Sequence, residues 1–168
     1  DDKTFMVMMN DIRGALFPAL TSVLSSSPDM VVLGMSAETF WDGLDGATQL
    51  QKKLERAAKG KPVAMGSDAC QAALRAYGKG IKRLGIVTPY MPVGDKQVYR
   101  FFTDCGFEVV NLLGLKCRSP QLIAHESKKT LDVIRALPAD QYDFYKVLPN
   151  YEVVVPEREA VVRQDAAS

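Results

Sequence analysis

The stretch Arg83-Leu84-Gly85-Ile86-Val87-Thr88-Pro89-Tyr90 constrains the fold more than any other, being a short apolar run entered from a basic residue and stopped by Thr-Pro-Tyr. Continuous rather than alternating hydrophobicity is the pattern of a parallel strand covered on both faces. Val93 to Cys105 follows, polar at Asp95, Lys96, Gln97 and Arg100 and apolar at Val98, Phe101 and Phe102, which predicts an amphipathic helix closed by Gly106. Phe107-Glu108-Val109-Val110-Asn111-Leu112-Leu113 supplies a second strand. Strand, helix and strand within about thirty residues form a βαβ unit with a right-handed crossover, and ligands of such sheets bind beyond the carboxyl ends of the strands. Tyr90 stands at such an end.

A chain of 168 residues, 47% hydrophobic and 24% charged, matches one globular α/β domain over 1–168, with a lobe boundary expected near 79–82. The formal net charge of +1 gives no electrostatic footprint for nucleic acid or a membrane surface. No apolar run approaches the length of about eighteen residues that spans a bilayer, and Asp1-Asp2-Lys3 lacks a signal-peptide n-region, so a cytoplasmic protein is expected. Cys70, Cys105 and Cys117 are odd in number and lack C-x-x-C spacing, which argues against a disulfide framework and a structural zinc site. With His125 as the single histidine, a His-based metal site or a Ser-His-Asp triad has little to be built from.

The chain opens with Phe5-Met6-Val7-Met8-Met9, after which Asn10 is the expected N-cap of a helix through Ile12, Ala15, Leu16, Leu20 and Leu24, with a kink at Pro18. Met30-Val31-Val32-Leu33 reads as a buried strand ending in Gly34-Met35-Ser36, and a helix can open between Ser36 and Thr39. Phe40 to Lys61 reads as a loop and then a helix through Leu50, Leu54 and Ala57. Pro62-Val63-Ala64-Met65 is a third strand, Gly66-Ser67-Asp68 its turn, and Ala69 to Tyr77 a helix stopped by Gly78. Beyond the loop from Gly114 to Pro120, a helix is expected from about Gln121 to Ala136, then Phe144 to Pro149 and a strand at Tyr151 to Val155. The fold class is α/β, a mainly parallel sheet with helices on both faces, Rossmann-like or flavodoxin-like. Gly34-Met35-Ser36, Gly66-Ser67-Asp68 and Thr88-Pro89-Tyr90 should converge on one rim. Backbone N–H groups exposed there suit an anion.

Pro28 to Gly43, then Gly66-Ser67-Asp68-Ala69, Thr88-Pro89-Tyr90 and Gly106 to Val110, taken in that order, resemble the aspartate/glutamate racemase superfamily, and within it the branch of maleate cis-trans isomerase and arylmalonate decarboxylase. The resemblance implies paired α/β lobes with a cleft between them, no metal, no organic cofactor and a small carboxylic acid as substrate. Two cysteines, one per lobe, typically move a proton or add to a double bond there, while hydroxyls and amides hold carboxylates. Carried over, Ser36 with the amides near Gly34 and Met35 resembles one carboxylate clamp, Tyr90 the phenol bonding the same group, and Ser67 and Thr88 substrate-side neighbours. The chain departs from the pattern where a first-lobe cysteine is expected, since Gly34 stands there, and the decarboxylase branch is similar in this. Residues 144–168 resemble material usually found near the family's N-terminus, as in a permuted or incomplete copy.

Each residue also has a plainer reading. Ser36 and Ser67 suit helix N-caps, Tyr90 a strand cap packed on the helix below, and His125 a solvated helix face. Cys70 and Cys105 fall in expected helices as small core hydrophobes, which leaves Cys117, in a loop after a strand, as the candidate nucleophile. Two functions therefore stand: a cofactor-independent isomerase, racemase or decarboxylase using thiol chemistry, or a non-catalytic carboxylate-binding module. A flavodoxin-like or sugar-isomerase-like domain is a third, by analogy of fold alone. An uncovered apolar strand edge would favour a homo-oligomer.

Overall fold

The computed structural model describes residues 1–77 and 80–117. The stop at Gly78, the helix with His125, the segment 144–168 and part of the expected lobe boundary lie outside the described residues.

The first helix, α1 (Asp2–Leu24), begins earlier than the sequence suggests. Its N-cap is Asp1, whose carboxylate accepts the Thr4 N–H at 2.9 Å, so Asn10 lies mid-helix instead of capping it. The reason lies in the spacing: Phe5, Met9, Leu16 and Leu20 follow a helical period, with Met9 and Leu20 buried. The helix runs through Pro18, which supplies no N–H to the turn before it.

Three strand-to-helix transitions follow. Strand β1 (Val31–Leu33) leads into the four-residue helix α2 (Ser36–Thr39), and α3 (Gly43–Ala57) returns over the sheet. Strand β2 (Val63–Met65) passes straight into α4 (Gly66–Ala76), so the expected turn at Gly66 to Asp68 is the first turn of the helix itself. Asp68 makes this possible by accepting the Met65 N–H at 2.8 Å. Strand β3 (Arg83–Thr88), α5 (Pro92–Asp104) and β4 (Glu108–Gly114) complete the βαβ unit read from the sequence. Helix α5 stops where expected, at Gly106 with φ of 87°.

Both strand pairs are parallel: β1 with β2, and β3 with β4. Leu33 lies opposite Met65 and Thr88 opposite Gly114, so within each pair the carboxyl ends lie side by side. The register slips between Leu84 and Gly85, whose partners are Val109 and Asn111.

One apolar core joins Leu20 of α1, Leu54 of α3, Val63 and Met65 of β2, Leu84 of β3 and Phe101 of α5. Phe101 lies at its centre, edge-on to Phe40 at 5.1 Å and to Phe102 at 5.3 Å between ring centroids. The strands are less enclosed than their hydrophobicity suggests. Val32 in the middle of β1 is 71% exposed, and in β3 only Leu84 and Thr88 are buried, so neither strand is fully enclosed as its sequence suggests. Unbroken apolar runs reflect the β-propensity of Val and Ile as well as burial, and here burial is incomplete.

Candidate functional site

The site begins at the ends of β1 and β3. Tyr90 Oη donates to Ser36 Oγ at 2.7 Å, joining the loop after β3 to the first residue of α2 across 54 positions of sequence. This bond links the two strand pairs at their carboxyl ends. Ser36 is exposed and Tyr90 half-buried, so one hydroxyl faces outward and the other is held from behind.

Tyr90 is fixed from several sides. Its ring lies 6.1 Å from that of Phe5 on α1 and packs against the first turn of α5 at Gly94. A methyl group at Gly94 would stand 2.9 Å from Tyr90 Cβ and 3.3 Å from Phe5 Cε1, too near for either ring to stay. Its backbone N–H donates to Thr88 Oγ1 at 3.3 Å, and its carbonyl accepts the Lys116 N–H at 3.2 Å. Ser36 is held through its own short helix. Glu38, two residues on, is 8% exposed and accepts Arg13 Nε through both carboxylate oxygens, each at 2.9 Å.

The remaining candidates divide. Gly34 and Met35 precede Ser36 on the same loop, and Met35 is the N-cap of α2 without a side-chain hydrogen bond. Thr88 is 4% exposed; its hydroxyl donates to the Asp95 carboxylate and accepts from Tyr90, so it supports the loop from beneath. Cys117 lies alongside, its N–H donating to Pro89 O at 2.9 Å, while the Leu115 N–H donates to Thr88 O at 2.8 Å. Ser67 is placed differently from the expected rim. It is 2% exposed and lines a small, partly open cavity of about 40 Å³ with Leu44, Gln51, Gln71 and Phe101. That volume suits water, not a dicarboxylic acid.

The electrostatics favour protonated groups. Burial, reinforced by Cys70 and Asp95, raises the Tyr90 phenol above its ordinary value against the lowering effect of the Ser36 bond, so it remains a hydrogen-bond donor. Cys70 is exposed on α4 and not the core residue expected from the sequence; desolvation by the side chains around it and then Asp68 raise its thiol. Burial raises Cys105 also, over the opposing Gln71 hydrogen bond and Arg75. Both sulfurs are therefore thiols at neutral pH, Arg75 beside Cys105 being outweighed by burial. Among the described residues, no group of three or more His, Cys, Asp or Glu is placed to hold a metal ion, and no helix is long and apolar enough to cross a membrane.

A tyrosine that donates to a serine polarises the serine hydroxyl, which then donates more strongly to the next acceptor. An oxygen of an anion is such an acceptor. Sequence reasoning overlooked Arg13 and Asp95, which hold the two halves of this pair. Asp95 sits five residues after Tyr90 at the opening of a helix, where an acidic residue reads as an ordinary dipole partner.

No protein-family model matches this chain, and no curated protein sequence does. Solved structures do. A variant of the maleate cis-trans isomerase of Nocardia farcinica, carrying a covalently bound succinylcysteine intermediate, superposes with a TM-score of 0.69 at 16% identity, over 78% of this chain and 55% of that one. The fold is that of the maleate isomerases. A maleate isomerase of Pseudomonas putida with maleate gives 0.69 at 19% identity, covering 79% of this chain and 54% of its own. Arylmalonate decarboxylase gives 0.62 at 20% identity, covering 76% and 56%. This chain thus spans about half the length of the maleate isomerase and decarboxylase structures it resembles, and at such identities the likeness is one of fold.

Proposed function

We propose that this chain binds the carboxylate of a small mono- or dicarboxylic acid at the Ser36–Tyr90 pair, in a cofactor-independent isomerase, racemase or decarboxylase of the maleate isomerase kind. The observation that carries the reading is the 2.7 Å bond between Tyr90 Oη and Ser36 Oγ at the carboxyl ends of the strands. The Ser36 hydroxyl, polarised by the phenol that donates to it, with the amides near Gly34 and Met35 beside it, would stabilise negative charge on a substrate carboxylate as a carbanion or enediolate forms next to it. In the Nocardia farcinica structure a cysteine carries the succinyl group. Cys117, tied by its backbone to Pro89, is the sulfur we assign to that kind of role here. Substrate enters as a small carboxylate, and the working unit is a homo-oligomer.

Calorimetric titration with maleate tests this. Wild type should bind; Ser36→Ala, which loses the bond to the carboxylate, and Tyr90→Phe, which loses the bond that orients and polarises Ser36, should each weaken binding about tenfold. Equal binding by all three proteins would overturn the assignment. A second reading, a carboxylate-binding module without turnover, is favoured by one feature: Gly34 holds the place after β1 where a first cysteine would act. Binding of maleate that survives Cys117→Ser, with no isomerisation by any form, would select it.

A further inference from the structure

We infer that Asp95 is a positioning residue for Tyr90, acting through Thr88; this rests on the carboxylate-binding reading above and adds to it a residue that touches no substrate. The connection is a relay of two hydrogen bonds. Thr88 Oγ1 donates to Asp95 Oδ1, and the same Oγ1 accepts the Tyr90 N–H at 3.3 Å. The loop bearing the phenol is thereby anchored to the first turn of α5, whose carboxylate points away from its own helix. Asp95 does not cap α5, because the N-cap is Met91 and the first-turn N–H of Val93 donates instead to Asp2 Oδ1 at 3.0 Å. An acidic residue near a helix start normally serves those amides or the dipole. This one serves the neighbouring strand.

Two further features fit. Thr88 is 4% exposed at the end of a strand, and its buried hydroxyl is satisfied by Asp95 as acceptor and the Tyr90 N–H as donor. Gly114, opposite Thr88 in the β3–β4 register, leaves the space the carboxylate occupies; a Cβ there would overlap the Asp95 carboxylate. The other charged groups acting on Asp95 are Lys116, beyond the end of β4, and Asp2 on α1.

The test uses the whole chain with 13C-labelled tyrosine rings, the Tyr90 resonance being assigned by its loss in Tyr90→Phe, together with maleate titration. In Asp95→Ala and in Thr88→Val, the Tyr90 Cζ resonance should move to the position of a solvent-exposed tyrosine, and maleate binding should weaken about tenfold. The double variant should be no worse than either single one, as for members of one relay. Asp95→Asn keeps an acceptor for Thr88 and should preserve both readouts. An unmoved resonance in Asp95→Ala, or an equal shift in Asp95→Asn, would overturn the inference. Should Asp95→Ala fail to fold, Thr88→Val decides, since it keeps the shape of the side chain. Failure of wild type to bind maleate would sink the carboxylate reading, while the tyrosine resonance would still judge Asp95.

Discussion

Arg13 and Glu38 lie 25 positions apart, and Arg13 Nε contacts both oxygens of the Glu38 carboxylate at 2.9 Å while its guanidinium carbon rests 4.6 Å from the centroid of the Trp41 ring. The guanidinium therefore pins α2 from one side by charge and from the other by its flat face. The Glu38 side chain is only 10% exposed, so removing its partner strands a carboxylate in a poorly solvated place. Arg13→Ala should cost about 2 kcal/mol in urea denaturation, less than a fully buried pair because Arg13 itself is partly solvated. Arg13→Lys should recover little, since an ammonium cannot stack on Trp41.

The Tyr90 phenol supplies a pH signature. An ordinary tyrosine ionises at 10.0, and burial holds this one above that. The folded chain therefore keeps the proton where the unfolded chain has lost it. Stability from Tyr90 is fully present below 10 and is lost as pH rises through the higher folded value. Thermal melts of wild type and Tyr90→Phe should differ by a constant amount from pH 6 to about 9.5, and the difference should shift against wild type above pH 10. A difference that moved between pH 6 and 8 would contradict the assignment.

Small residues near the site should differ sharply in tolerance. A Cβ at Gly34 meets nothing within 4 Å, so Gly34→Cys should fold with stability within about 0.5 kcal/mol of wild type. The added thiol would be countable with a chromogenic disulfide reagent. Gly114→Ala drives a methyl group into the Asp95 carboxylate and should lower stability by about 1–3 kcal/mol.

Phe101 is 1% exposed and edge-on to two other phenylalanines. Phe101→Ala should cost about 3–5 kcal/mol by leaving a cavity that the flanking rings cannot close. Phe101→Leu should lose less than half of that in the same chemical melt.

The raised thiols make a kinetic prediction. With their ordinary value at 9.0 and burial pushing both upward, Cys70 and Cys105 hold little thiolate at neutral pH. Iodoacetamide should modify them slowly at pH 7 and roughly tenfold faster per pH unit until they titrate. Mass spectrometry of peptides resolves the sites. Fast labelling of either at pH 7 would contradict the raised thiols, for Cys70 in spite of its exposure.

Parallel α/β order was legible because turn chemistry and hydrophobic period agree over residues 83–114, from the Thr-Pro-Tyr stop to the glycine closing α5. The beginning of α1 was not. Asn10 is as good a cap as Asp1 in isolation, and only burial of Met9 shows which one starts the helix. Ser36 and Tyr90 were legible as neighbours because both follow strands, whereas Ser67 follows a strand too and faces inward. The difference is one residue of helix phase: α4 starts at Gly66 and turns Ser67 under α3, while α2 starts at Ser36 itself. Asp95 and Arg13 escaped notice because their partners lie across the fold, and a side chain's long-range partner leaves no period in the sequence.

The glycine facing Thr88 has an evolutionary corollary. Positions 95 and 114 share one small volume, so a lineage that gains a side chain at 114 must shorten or lose the acid at 95, and one that keeps the acid must keep the void. Covariation of these two columns, with threonine at 88 following the acid, is the trace such a constraint would leave in related chains.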